Sequence, residues 1–523
     1  MRRTLRSPGR LLRRAIATAD RGFDALYHWS GNPIYQSGAL TVAFLVLLLV
    51  TGTYLLFVYR IGSPYESVAR VTADPWLGRW MRSLHRFTAD AAVIAASVHA
   101  LRMFAQRRSW GARTLPWTTG LLLLGLILVC GWTGFVMVWD VFGQVLAVEG
   151  ARFLDVLPIF SEPIGRMFVG ERPIPGAFFF LNLFLHIALP IGLGIMLWLH
   201  VSRMARAKLL PPRPLMWGSI AVLTVISLTW PIGMAPAASA FHFPSSVPLD
   251  VLYAGWLPVS VRFDAGVVWL AGMAIAALLV LVPLWSRPPR EERRAPSVVD
   301  PRLCTGCTQC MLDCPWQAIE MVPRTDGRAT LVAQVNPDRC VSCGICAGSC
   351  APMGIGPPDR TGRDQLARAR EFIATHRPGP RDVVVIACSR GAGGLAGSHD
   401  PSLLVIPTEC AGNLHSSVVE YLVRSGAGGV MVVSCSPRDC WNREGATWLE
   451  ARLFHDREAE LQARVDRRRV RLLYAGALER GPVLDALAEF RGEVERLHLA
   501  SAESDVDITA LCDRDEVDGA VNA

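Results

Sequence analysis

Several familiar chemistries are missing from this chain of 523 residues. No strand-like run leads into a G-x-G-x-x-G, no Gly loop is shaped to cradle phosphate, and nothing resembles a hydrolytic triad. Nucleotide-driven and hydrolytic reactions therefore have no foothold. No cleavable signal is evident either: "MRRTLRSPGRLLRR" is basic, but an apolar stretch does not follow it closely. The segment 1–35 reads instead as a basic amphipathic helix lying on the cytoplasmic face of a membrane. Charge is scarce at 19%, while 51% of residues are apolar and the mean hydropathy is +0.31. Those values lean towards a membrane protein that keeps a sizeable soluble part.

The two parts separate along the chain. Up to about residue 286 lie six candidate spans, roughly 36–59, 84–104, 115–139, 178–202, 214–234 and 266–285. Acid is absent from two of their loops: one carries Arg102, Arg107, Arg108 and Arg113, the other Arg203, Arg206, Lys208 and Arg213. Both belong on the cytoplasmic side, which puts both termini there and turns the connections 140–177 and 235–265 outward. The net charge of +8 follows from these loops and does not indicate nucleic acid. The expected layout is a helical membrane domain at 36–288, a Pro/Arg linker at 289–299, a Cys-rich domain at 300–356, a linker at 357–380, an α/β domain at 381–495 and an acidic, disordered tail at 496–523. In the cytoplasm thiols stay reduced, so clustered cysteines favour metal over disulfide.

Four histidines share one interval. His85 and His99 lie in the second span, His186 and His200 in the fourth, each pair 14 residues apart. Fourteen steps come within about 40° of whole helical turns and rise about 21 Å, so each pair shares a face with one member near each membrane surface. The second and fourth spans run in the same direction, which levels His85 with His186 and His99 with His200. A lone histidine in an apolar helix is ordinarily a hydrogen-bonded core residue. Four at one interval on two co-directional helices point instead to axial ligation of two stacked b-type haems.

Gly38, Gly52, Gly120 and Gly134, on the two helices without histidines, repeat the 14-residue interval and offer close backbone approach for a porphyrin. Arg82 and Arg102 stand at the ends of the second span, placed for haem propionates or for snorkelling. Asp90, within the same span, has no evident use. With "GFVMVWDVFGQ" (134–144), these features resemble the N-terminal four-helix part of cytochrome b from quinol-oxidising complexes, over residues 25–210. The resemblance implies a low-potential haem at His85/His186, a higher-potential haem at His99/His200, and quinone sites near both surfaces. That family's outer quinol site uses a Pro-Glu-Trp-Tyr motif; the nearest text here is "PLDVLYAGWLP" (248–258), with Asp250 in place of the glutamate.

Beyond the linker stand twelve cysteines in three groups. "CTGCTQCMLDCP" (304–315) and "CVSCGICAGSCAP" (340–352) carry C-x2-C-x2-C-x3-C twice, the spacing of bacterial two-cluster ferredoxins, in which the fourth Cys of each run ligates the other cluster. Cys304, Cys307, Cys310 and Cys350 are assigned to one [4Fe–4S] centre, and Cys340, Cys343, Cys346 and Cys314 to the other. Further on, "DVVVIAC", "LLVIPTEC" and "GGVMVVSC" are short β-branched runs ending in Cys388, Cys410 and Cys435, with Cys440 close behind. As strands of an open parallel sheet they bring four thiols to its carboxyl edge, where a [2Fe–2S] cluster or a zinc could bind; as buried small hydrophobes they need no ligand. "TECAGN", from Thr408, and "SCSPRDCWNREG" (434–445) resemble the iron–sulfur delta subunit of methyl-viologen-reducing hydrogenases, also found fused to heterodisulfide-reductase-type proteins. That resemblance implies a [2Fe–2S] cluster carrying electrons between a partner enzyme and a flavin- or cluster-bearing subunit. Only Cys388 stands before "SRGAGG", where that family usually has further cysteines. Cys130 and Cys512 are assigned no role.

The fold expected is thus multidomain: an all-α transmembrane di-haem bundle of about six spans, an α+β bacterial-type ferredoxin domain, then an α/β open parallel-sheet domain. The function expected is electron transfer between a cytoplasmic oxidoreductase (a hydrogenase, a heterodisulfide-reductase-like enzyme or a flavoprotein) and the quinone pool of a bacterial or archaeal inner membrane, with quinone as substrate. The alternatives are the core of a quinol-oxidising proton-translocating complex and a membrane redox sensor. Lipid, quinone and a cytoplasmic oxidoreductase subunit are the expected partners, nucleic acid is not, and a homodimer is compatible with the pattern.

Overall fold

The computed structural model describes residues 8–158, 162–168, 174–202, 204–239, 246–248, 250–287, 294–398 and 400–518. Arg203, the first part of the 289–299 linker and both extreme ends lie outside these residues. The chain divides into two compact units, 1–13 with 31–287 and 14–30 with 288–523. Helix α1 (Pro8–Gly31) contributes to both, with non-helical backbone at His28.

The first unit is helical throughout: α2 (Ser37–Val58), α3 (Pro64–Ala73), α4 (Gly78–Ala105), α5 (Thr114–Val138), α6 (Val141–Leu154), α7 (Gly176–Val201), α8 (Arg213–Thr229), α9 (Leu257–Ser260), α10 (Ala265–Val280) and α11 (Val282–Trp285). Among the described residues four helices, not six, have the length and apolarity to cross a bilayer: Ser37–Val58, Gly78–Ala105, Gly111–Val138 and Gly176–Val201. The fifth and sixth expected spans are shorter, at 17 and 16 residues, against about 20 for a helix normal to the membrane. Proline explains both shortfalls. Trp230 precedes Pro231 and leaves the helical region, and Pro283, without an N–H, stands where α10 gives way to α11. Helix α2 packs along α4, and α5 along α7. Buried Ala92 and Ala95 let α4 approach Leu40 and Phe44 of α2 closely. "GFVMVWDVFGQ" turns the corner from α5 into α6: Asp140 accepts from Gly143 N at 2.9 Å and caps α6, while Gln144 and Ser239 exchange hydrogen bonds at 2.8 and 3.3 Å.

The second unit holds two two-stranded sheets followed by a four-stranded one. Short antiparallel pairs, β1 (Val298–Val299) with β4 (Ile355–Gly356) and β2 (Ile319–Pro323) with β3 (Leu331–Val335), frame α12 (Gln309–Leu312) and α13 (Ile345–Gly348), which carry cysteines. Beyond α14 (Gly362–His376) come β5 (Val383–Cys388), β6 (Val405–Thr408), α15 (Ser416–Arg424), β7 (Gly429–Ser434), α16 (Gly445–Phe454), β8 (Val470–Tyr474) and α17 (Arg480–Asp518). The strands form one parallel sheet in the order β6-β5-β7-β8, as the cysteine-ended runs predict. Every residue of β5 and β7 is buried because both faces are covered: Val384 and Ile386 pack on Val418, Leu422 and Leu449, Val383 and Val385 on Leu487 and Phe490. Two stretches differ from the expected layout. The linker read at 357–380 is mostly α14, opened by a Thr361–Asp364 capping box, and α17 continues into the acidic tail read as disordered.

Candidate cofactor sites

In the membrane unit the four histidines meet in the expected pairs. The rings of His85 and His186 face each other with centroids 6.4 Å apart, tilted by 57°. A metal–imidazole bond of about 2 Å on each side, plus about 1 Å from nitrogen to ring centre, gives about 6 Å, so this gap fits one axially ligated iron. His99 and His200 are close enough to interact electrostatically at the other level.

Each of the four glycines faces one histidine. A Cβ on Gly38 would lie 2.9 Å from the His99 ring, on Gly52 3.2 Å from His85, on Gly120 3.1 Å from His200 and on Gly134 3.1 Å from His186. The atoms met are those of the imidazole, so what these glycines clear directly is the ligand ring.

Sequence reasoning missed what stands beside those glycines. A hydroxyl residue precedes each: Ser37, Thr51, Thr119 and Thr133. Thr51 Oγ1 donates to Leu47 O at 2.9 Å and lies 2.8 Å from His85 Nδ1. Thr119 repeats this with Leu115 O at 2.8 Å and His200 Nδ1 at 3.1 Å, and Thr133 with Cys130 O at 2.8 Å and His186 Nδ1 at 2.9 Å. With its one proton given to its own helix, each threonine accepts from Nδ1–H. That fixes the tautomer and leaves Nε2 bare as a metal ligand. Ser37 donates to Ile34 O at 3.0 Å in the same manner. Cys130, given no role, supplies its carbonyl to His186 Nδ1 at 2.9 Å.

The charged groups in the first half of α4 have partners as well. Arg86 pairs with Asp90 one turn on and with Asp250 at 2.5 Å, and its guanidinium lies over the rings of Phe135 and Tyr253. Asp250 further accepts from Leu252 N and Tyr253 N at 3.0 and 2.8 Å. Arg82 donates to Ile232 O and Gly233 O at 2.8 and 3.1 Å, while Arg102, 2% exposed, stacks on Tyr35.

The eight ferredoxin-type cysteines divide as assigned from spacing. Cys304, Cys307, Cys310 and Cys350 line one cavity, and Cys314, Cys340, Cys343 and Cys346 line a second. Left-handed backbone at Thr308, Ser342 and Gly344 bends the loops so that successive thiols turn inward. Donors reach the sulfurs: Ala318 N to Cys314 and Gly354 N to Cys350, each at 3.3 Å, Ser297 N to Cys340 at 3.4 Å, and Ser297 Oγ beside Cys346 at 3.3 Å. Burial pushes the Cys310 thiol up to about 12, with neighbouring thiols adding to it; ionising such a thiol needs a metal. Among the described residues no three His, Cys, Asp or Glu side chains close on one point as a lone ion requires. Four thiols lining each cavity are the donor set a [4Fe–4S] cubane takes.

At the carboxyl edge of the sheet, Cys388, Cys435, Cys440 and Cys410 form a buried chain of thiols, each within hydrogen-bonding reach of the next. Cys410 and Cys435 are pushed well up by those neighbouring thiols and then by burial. Gly445 is needed there, since a Cβ would lie 2.8 Å from Cys410 Sγ.

Comparison with known proteins matches the three segments in the same order. Residues 28–208 match the family model for cytochrome b/b6/petB, 303–354 that for a 4Fe-4S dicluster domain, and 383–498 that for the delta subunit of methyl-viologen-reducing hydrogenase. The menaquinol:cytochrome c reductase cytochrome b subunit of Geobacillus thermodenitrificans is 26% identical over 184 residues, 34% of this chain and 82% of that protein. Its counterpart from Bacillus subtilis (strain 168) is 26% identical over 153 residues, 29% of this chain and 68% of that one. A chain of a solved hyperthermophilic respiratory Complex III aligns at a TM-score of 0.39 and 16% identity, covering 50% of this chain and 78% of its own. Cytochrome b implies haem and the dicluster domain implies 4Fe-4S clusters. With four bilayer-length apolar helices, the chain is an integral membrane protein of electron transfer.

Proposed function

We propose that this chain passes electrons between a cytoplasmic oxidoreductase and the membrane quinone pool. His85 with His186 and His99 with His200 would hold two b haems through Nε2. Cys304, Cys307, Cys310 and Cys350 would hold one [4Fe–4S] cluster, Cys314, Cys340, Cys343 and Cys346 the other, and Cys388, Cys410, Cys435 and Cys440 a [2Fe–2S] cluster. Bound there, these groups supply one-electron transfer at potentials set by ligation, hydrogen bonding and burial. The chain itself supplies rigid placement: threonines aim the imidazoles, backbone N–H groups meet the sulfurs, and the two soluble domains share a buried joint. The observation carrying the reading is that one polypeptide joins a hydrogenase-delta-like domain, a dicluster domain and a paired-histidine bundle. Quinone reduction beside His99/His200 is the simplest arrangement, because protons and electrons then arrive from the cytoplasmic side. The test is a haem-to-protein ratio of about two that falls by one in His85→Ala and by one in His99→Ala, with steady-state quinone reduction by the complex purified with its soluble donor. Equal rates in haem-free membranes would overturn the route.

The relatives favour a second reading, since both carry a menaquinol-oxidising description. Electrons would then run from quinol to a low-potential cytoplasmic acceptor, with Asp250 taking the outer-site proton. Asp250→Asn abolishes turnover in that reading; in the first, Asp250 ties Arg86 to its turn and the exchange costs stability alone.

A further inference from the structure

Arg452 of α16 is 0% exposed, yet among the described residues no carboxylate stands within ion-pair reach of it. Its direct partners are neutral: Nη1 donates to Ser349 Oγ at 3.0 Å and to Ile345 O at 3.5 Å, Nη2 to Gly412 O at 2.8 Å. Among the described residues its Nε has no hydrogen-bond partner. The nearest acid, Asp313, accepts from Ser349 Oγ at 2.6 Å but is itself paired with Arg457. Burial pulls the guanidinium down only to about 10, so it is charged at neutral pH. Asp313 still attracts this charge through Ser349 but serves Arg457 as well, so two cations at the joint share one carboxylate, and a buried charge left under-compensated is unfavourable.

The residues around this cation are spaced between cysteines. Ile345 adjoins Cys346, Ser349 adjoins Cys350, and Gly412 lies two residues after Cys410. Gly348 makes room for the guanidinium, since a Cβ there would lie 2.6 Å from Arg452 Nη1. One positive charge is thus wedged where the dicluster domain meets the hydrogenase-delta-like domain, beside thiols of both.

We propose that Arg452 is the counter-charge for the iron–sulfur centres these cysteines hold, a positioning residue that raises the reduction potentials of the centre at Cys410 and of the cubane at Cys346. The proposal rests on the cluster assignment above. Reduction adds negative charge to a thiolate-ligated centre, and a fixed cation in a low-dielectric joint favours the reduced form. A purely structural rivet would stabilise the joint and leave potentials alone.

The experiment is a redox titration of the full-length protein in detergent, followed by EPR, with iron content measured in parallel. Arg452→Gln is expected to keep its iron and to shift both centres about tenfold towards oxidation at a given poise, about 59 mV for one electron. Arg452→Lys, which keeps the charge, falls between the two. Arg457→Gln leaves Asp313 unneutralised at the same joint and lowers the cubane at Cys346 by less, with haem potentials unmoved. If Arg452→Gln loses its clusters, Arg457→Gln decides. Full iron with unchanged potentials in both variants overturns the proposal. A wild-type protein without iron–sulfur signals overturns the cluster assignment beneath it.

Discussion

The membrane and soluble halves solve the same problem by opposite means. In the membrane half each pair of candidate ligands comes from two helices far apart in sequence, and side chains do the aiming, with threonines on α2 and α5 holding the Nδ1 of His85, His200 and His186. In the soluble half most candidate ligands lie three or four residues apart, and backbone does the aiming, through left-handed residues and N–H groups directed at sulfur. The difference follows from solvent. In lipid nearly every backbone group is committed to its own helix, so orientation has to be delegated to hydroxyls. In the small soluble domain, loops keep free N–H groups to spend on thiolates.

Breaking the membrane half should therefore need only one side chain. Gly38→Val puts a branched group against His99, whose ring would lie 2.9 Å from the new Cβ; the expected outcome is loss of one haem of two by pyridine haemochrome assay. Arg86→Leu leaves the partly buried Asp90 and Asp250 without their shared cation, for a cost of about 3 kcal/mol, read as a lowered unfolding midpoint in detergent. The double change Arg86→Leu with Asp250→Asn should restore part of it. Thr51→Val keeps the shape but removes the acceptor for His85, and haem affinity at that level should fall by about 10-fold to 100-fold, measured by haem titration. The matched change in the soluble half is Ser297→Ala, which removes the hydroxyl at Cys346 while Ser297 N still donates to Cys340. Cluster content should stay whole, with a cost of about 1 kcal/mol or less and a small fall in one cubane's potential by EPR titration. If Ser297→Ala harms its site as much as Thr51→Val harms its own, the contrast between the halves fails.

Much of this was legible from residues alone, for physical reasons. The 14-residue interval and the C-x2-C runs state geometry directly, one through helical period and the other through the reach of a short loop. The β-branched runs ending in cysteine likewise put β5, β6 and β7 in one parallel sheet. The last two expected spans come out shorter than hydropathy suggests, because hydropathy averages over Pro231 and Pro283, which end helices locally. The Ser/Thr-Gly pairs were readable at the same interval as the glycines, but a hydroxyl in a membrane helix is usually satisfied by its own carbonyl and so looks idle. Asp90 had no evident use because Arg86 must also be tied to Asp250, on a distant turn. Arg452 gave no signal, since its partners come from α13 and from the turn after Cys410.

The joint around Arg452 also bears on modularity. Asn413 Nδ2 donates to Gly344 O at 2.9 Å, His415 Nε2 meets Cys350 O at 3.1 Å, and Gln365 of α14 clasps both Asn413 O and His415 N at 2.9 and 3.0 Å. The family matches divide this region into two separate segments, 303–354 and 383–498. Severed between them, each fragment would expose polar groups that only the other satisfies, so the dicluster and delta-like domains should melt in a single transition and resist transplantation one at a time. The two domains are thus one mechanical unit, whatever their family boundaries.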